Sequence, residues 1–313
     1  MTLFRKTLFT ILLISGLGVP PAGAQENHEE ERKSLERELI ESNILISQWF
    51  DGVADGLDLF LVGQRITKKR NETSIKIENT SYYIEGEGPS NSTSLSANLR
   101  LPNLEQYWML KFSDYDENRQ KGVRETYLRQ SPRPKNYGAT VGLFQKLGNV
   151  RVAFEPRIGL QDPLSVSHSL SFESVADLVT YKVNPKIELY ATSDKGTGVY
   201  QALNINFQLS RIHSLTFVND GDYEDRVHRL SVNNGVALGQ VVEERKKSLS
   251  YSLIFSSNNR PNYNLSSYRF SVSWDHLLYQ KILDYAVTPY VDFARARGFK
   301  GQSGINFTVG LNF

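Results

Sequence analysis

The sequence predicts an all-β chain: an antiparallel up-and-down transmembrane β-barrel of about 14 strands, with 12 as the alternative count, preceded by a short N-terminal amphipathic α-helix. Three observations predict it. After residue 72 apolar and polar residues alternate with the period of a strand. The alternating segments run for about 8–12 residues, longer than the usual soluble strand of about 5–6 and close to the roughly 9–11 that a tilted membrane strand needs. Finally, residues 1–24 read as an export signal.

The 313-residue chain is 22% charged and 40% hydrophobic. This excludes a bundle of membrane helices, because each span needs about 20 consecutive apolar residues. A formal net charge of +2 gives no footprint for a nucleic-acid partner. The 16 Tyr and 16 Phe suit pleated surfaces. With no Cys, disulfides, thiolate metal sites, a cysteine nucleophile and a lipid anchor on an N-terminal Cys are all excluded.

The elements follow in chain order. Arg5 and Lys6 form a charged n-region, Leu8–Val19 an apolar h-region too short to span, and Ala22-Gly23-Ala24 a cleavage site, so the exported chain starts at Gln25. Residues 25–66 form a periplasmic or interfacial helical segment, with Leu35, Leu39, Ile40, Ile44, Trp49 and Phe50 along one stripe. Phe50–Gly63 reads either as a helix on a membrane interface, anchored by Trp49 and Phe60, or as a solvated helix. Residues 67–313 form the barrel. Tight connections are expected at Pro102-Asn103, Gly148-Asn149 and Ser210–His213. Longer polar loops are expected at Asp114–Asn136, Ser193–Thr197, Asn219–Arg226, Ser256–Asn264 and Arg295–Ser303, with no helix interrupting the strands.

Alternation by itself fits a sandwich with its apolar face inward as well as a barrel with its apolar face outward. Aromatic residues near strand ends tilt the choice to a membrane barrel: Trp108, Tyr137, Phe172, Tyr181, Tyr190, Trp274, Tyr285 and Phe293 fit two interfacial girdles. The export signal without disulfides tilts it the same way. The last stretch, GINFTVGLNF, sets Ile305, Phe307, Val309, Leu311 and Phe313 on one face. This strand must pair with the first to close the barrel, because lipid offers backbone groups no hydrogen bonds.

Gly304–Phe313 resembles the C-terminal β-signal of bacterial outer-membrane proteins. With Trp49-Phe50-Asp51, Ser94–Asp114 and Glu188–Phe207, the chain resembles an uncharacterised family of proteobacterial outer-membrane β-barrel proteins. The resemblance implies a Gram-negative outer-membrane location, outer-membrane lipids and lipopolysaccharide as surroundings, and a barrel-assembly machinery that reads the β-signal during biogenesis. It implies no activity.

By parity the lumen receives Arg100, Lys111, Arg151, Glu155, Arg157, Lys182, Glu188, Arg269 and Asp292. No residue pattern calls for a cofactor, a metal or a catalytic centre. The acidic run Asn219–Asp225 reads as an exposed turn in preference to a calcium loop. Of five His, His168 takes lipid-side parity, His213 and His276 fall in turns, and His228 lies beside the acidic run. The leading function is a small passive, porin-like channel. The alternative is a closed-lumen structural or surface-interaction barrel, and a lipid-modifying enzyme is weaker still.

Overall fold

The computed structural model describes residues 34, 36–49, 51, 52, 54, 73–100, 108–114, 121–132, 135–160, 164–193, 195–244, 246–279 and 282–313. The expected export signal, Phe60 and the Pro102-Asn103 turn lie outside them, as do the side chains of Arg100 and Trp108. The chain forms two units, residues 1–42 and 43–313. The described part of the first is helical, at residues 34 and 36–42. In the second, residues 43–49, 51, 52 and 54 are helical and precede the sheet. Ile44, Leu45 and Trp49 are exposed, whereas Ala54 is buried. Asn43 Nδ2 donates to the Asn312 carbonyl at 2.6 Å, which ties this helix to the last strand.

Fifteen strands form one antiparallel sheet: β1 (Ser74–Ile84), β2 (Ser90–Arg100), β3 (Trp108–Ser113), β4 (Gly138–Leu147), β5 (Val150–Gly159), β6 (Ser165–Ser174), β7 (Ala176–Asp177), β8 (Tyr181–Thr192), β9 (Gly196–Gln208), β10 (His213–Glu224), β11 (Arg229–Glu243), β12 (Lys247–Asn258), β13 (Asn264–Leu278), β14 (Leu283–Ala294) and β15 (Gly301–Asn312). β6 and β7 both pair with β8, so they act as one stave broken at Val175, and the barrel has 14 staves. It closes where β1 meets β15, with Ile77 opposite Leu311 and Ser81 opposite Phe307. Ile75 and Phe313 exchange both backbone bonds, at 3.0 and 2.8 Å. Every stave thus has a paired neighbour on each side.

The two faces are sorted in the reverse of a soluble protein. Phe154, Ile158, Val166, Leu203, Phe217, Phe270, Ile305 and Phe307 point outward and are exposed. Arg157, Glu188, Asp220, Asn233, Arg269, Ser271 and Asp292 point inward and are buried. An apolar exterior around a polar interior is the arrangement of a membrane barrel.

Several local expectations are corrected. Asn219–Glu224 is strand, not loop: β10 carries Asp220, Asp222 and Glu224 inward while Asn219, Gly221 and Tyr223 face outward, so the run cannot wrap an ion. Polar lumen-facing residues made strand look like turn. His213 opens β10 and His276 lies within β13, both at outward positions, and His276 Nδ1 is 3.0 Å from the Tyr285 hydroxyl. Tyr190 belongs to no girdle, since it points inward and is buried. A short helix, Val123–Thr126, interrupts the strands.

Charge on the two faces should have opposite consequences. Phe270→Arg, outward on β13, is expected to cost about 2–4 kcal/mol when the barrel folds into vesicles, the usual cost near the bilayer midplane. Thr216→Arg, inward on β10, should cost under about 1 kcal/mol, since lumen positions tolerate charge. Urea titration of refolding into phospholipid vesicles measures both.

Candidate functional site

A barrel of eight strands is filled by its own side chains, and one of 16–18 leaves an aqueous channel. Fourteen staves leave more room than wall side chains fill. The chain fills part of it with the connection between β3 and β4. Residues 121–132 enter the lumen and touch β1, β8, β10, β12, β13 and β15.

Each anchor can be traced to a residue. Arg157, on β5, holds both roots: Nη1 donates to Ser113 Oγ at 2.9 Å, and Nη2 donates to the carbonyls of Ser113 and Asn136. Lys121 Nζ pairs with Glu188, which also takes Lys186 at 3.1 Å. The Lys121 ammonium stands 4.1 Å from the centre of the Tyr190 ring. The short helix starts on Asp220, which accepts from the Val123 N–H at 2.8 Å, the Tyr200 hydroxyl at 3.2 Å and Asn233 Nδ2 at 2.7 Å. Val123 then packs on Val218 and Ile254, with Tyr127 and Leu128 beside it. This small apolar core sits inside a polar lumen.

The far end of the segment is held by two arginines. Arg129 pairs with Glu78 and Glu125, each at 3.1 Å, and donates to Thr80 Oγ1 at 3.0 Å. Its carbonyl accepts from Asn306 Nδ2 at 2.9 Å. Arg269 pairs with Asp292 at 3.3 Å, donates to the Tyr127 carbonyl at 3.4 Å and lies over the Tyr290 ring. Asp292 also takes Arg297 at 2.8 Å.

The electrostatics follow from this burial. The Lys121 and Glu188 side chains are 10% and 6% exposed, and those of Arg269 and Asp292 4% and 9%. Charges this dry persist only when paired and hydrogen-bonded. Burial lowers the Lys121 pKa below the ordinary lysine value, opposed in part by Glu188, and burial raises that of Tyr127.

The lumen residues expected from parity divide into two groups. Arg157, Glu188, Arg269 and Asp292 join the anchoring of the segment. Of the others, Lys111 and Glu155 are half-buried. Arg151 is exposed at the other end of the barrel, its guanidinium 4.6 Å from the Phe144 ring centre, in an open cavity of about 480 Å³ shared with Lys146 and Glu173. Lys182 pairs with Asp177 at 2.9 Å in an exposed position. Among the described residues, residues 121–132 fill the lumen towards the β3–β4 side, and the cavity at Arg151 lies at the β4–β5 turn. Of the expected assembly-signal residues, Ile305 and Phe307 are exposed outward, Val309 is half-buried, Leu311 is buried and Phe313 bonds to Ile75.

Parity missed the segment itself: Lys121, Gly122, Val123 and Arg129, and their partners Glu78 and Asp220. The signal was present in GVRETYLRQ, where Val123, Tyr127 and Leu128 stand at helical spacing within a polar loop. His228 Nδ1 lies 3.3 Å from the Tyr223 hydroxyl.

No family model matches this chain, and no curated protein sequence matches it. Similar solved structures include the KdgM porin, at 8% identity and TM-score 0.38, covering 76% of this chain and 99% of that one. The outer membrane channel DcaP of Acinetobacter baumannii has 8% identity and TM-score 0.48, over 78% and 97%. OmpT, an outer membrane protein of Vibrio cholerae, has 7% identity and TM-score 0.43, over 79% and 99%. Likeness at this level says nothing about solute or activity; the closed barrel rests on this chain's own strand register.

Gly122 tests how tightly the segment is seated. Its φ is +55°, and a Cβ there would stand 1.9 Å from the Tyr200 hydroxyl and 2.4 Å from Asp220 Oδ2. Gly148 has a similar φ of +61° but open space around it. Gly122→Ala should loosen the segment by on the order of 1–3 kcal/mol and speed hydrogen exchange at Val123 and Leu128, whereas Gly148→Ala leaves both amides protected.

Proposed function

We propose that the protein is an outer-membrane channel for small solutes, in which residues 121–132 set the width of the passage. One observation carries this reading: the lumen is narrowed by a separate, helix-containing segment held through side-chain bonds, not by the side chains of the wall. A wall-filled barrel has no removable part, whereas this segment can leave the lumen without breaking a backbone ladder. The open cavity around Arg151 gives solute a wetted approach from one side. Arg157, Glu188, Arg269 and Asp292 then act as supports of the constriction, with Lys111 at the level of Arg157, and Arg151, Glu155 and Lys182 act as lining of the vestibule. In this reading the barrel sits among outer-membrane lipids and lipopolysaccharide after insertion by the assembly machinery, with Ile305–Phe313 as its recognition strand.

The competing reading is a permanently closed barrel. The depth of the Lys121–Glu188 and Arg269–Asp292 pairs favours it. Planar-bilayer conductance separates the two. The channel reading expects small, salt-dependent steps from the refolded chain, and steps several times larger when residues 121–132 are replaced by a Gly-Ser linker. A replaced variant that is folded by circular dichroism but electrically silent would overturn it.

A further inference from the structure

Lipid-facing polar groups are costly, because hydrocarbon supplies no hydrogen-bond partner. Among the described residues the outer wall nevertheless carries two polar clusters of three or more side chains within its apolar belt, and they are treated differently. On β1 and β2, Asn79, Ser81, Asn91 and Thr93 face outward and bond one another: Asn79 Nδ2 donates to Asn91 Oδ1 at 3.0 Å and to Thr93 Oγ1 at 2.7 Å, and Asn91 Nδ2 donates to Ser81 Oγ at 2.9 Å. This cluster is satisfied within its own wall.

The second cluster lies on β9, β10 and β11, separated from the first by β3–β6 and β8 one way and by β12–β15 the other. Gln201, Asn219 and Asn234 share outward parity there, and Asn219 stands opposite Asn234. They lie inside the apolar belt. Val199 and Leu203 flank Gln201 on its strand, Phe217 precedes Asn219, and Val232 and Val236 flank Asn234. Asn219 Nδ2 donates to the Leu203 carbonyl at 3.3 Å. Gln201 and Asn234 are exposed, and no side-chain hydrogen bond of either is seen among the described residues. Gly221, outward and without a side chain, leaves the wall low beside them.

We propose that the β9–β11 wall is the interface of a homodimer in the membrane, with Gln201 and Asn234 of each copy hydrogen-bonded across it. The occupant is a second copy for two reasons. Carboxamides both donate and accept, so the same patch is complementary to itself, as a two-fold interface requires. Copies inserted with the same orientation also bring this patch to the same depth, where lipid headgroups do not reach. The proposal concerns the wall and stands whether or not the lumen conducts.

The chain has no Cys, so single cysteines report cleanly. Asn219→Cys, Asn234→Cys and, as a control on another wall, Val166→Cys would be placed in the full-length protein. Each would be refolded into phosphatidylcholine vesicles and oxidised with a membrane-permeant reagent. The proposal expects disulfide dimers at Asn219 or Asn234 and none at Val166. Separately, Gln201→Leu with Asn234→Leu should weaken the dimer by roughly an order of magnitude in sedimentation equilibrium, with β-sheet content unchanged. Monomers at all three positions, equal cross-linking at Val166, or a double variant that dimerises like the wild type would each overturn it.

Discussion

The constraint on which everything else depends is that hydrocarbon cannot hydrogen-bond. A strand in lipid must find both ladders within the protein, and a sheet satisfies that only by closing on itself. The β1–β15 seam is therefore the critical contact of the molecule. The paired backbone bonds of Ile75 and Phe313, and the register from Ile77 with Leu311 to Ile84 with Gly304, turn a 14-stave sheet with two open edges into one with none. The outward apolar set, from Phe154 to Phe307, follows from the same constraint, since what faces lipid cannot ask for water.

Closure at 14 staves creates the second problem, a bore too wide for wall side chains to fill. The inward face is polar, so an apolar plug alone would strand groups such as Asp220 and Arg269. Residues 121–132 answer both demands at once. Val123 covers Val218 and Ile254, while its N–H goes to Asp220. Two of the charges on the segment, Lys121 and Arg129, meet opposite charges on the wall.

How much of this was legible in the sequence depends on range. Alternation is a local signal with period two, and it exposed the barrel and the parity of its strands. It failed where one signal carries two meanings. Asp220, Asp222 and Glu224 are polar because they face a lumen, yet a run of acids with a Gly reads as a turn. Tyr190 sits near a strand end, as a girdle residue would, but its parity takes it inward to Asp222. The β3–β4 connection was hidden for a different reason. Its destination is set by long-range pairs, Lys121 with Glu188 and Arg129 with Glu78, which no local period encodes.

The choice of charge pairs to seat the segment bears on what the lumen can do. Replacing a buried ion pair by apolar residues of similar volume is often neutral or stabilising, so pairs are a poor way to maximise stability. They differ from apolar packing in their response to water. An apolar core resists wetting, whereas a carboxylate and an ammonium that separate in a lumen are each hydrated on release, and the desolvation cost is recovered. A segment held by two ion pairs and several hydrogen bonds, with one small apolar cluster at Val123, thus has a lower barrier to leaving a wet lumen than one packed through leucines. The bonds that make the lumen look shut are, on this argument, the kind that allow it to open.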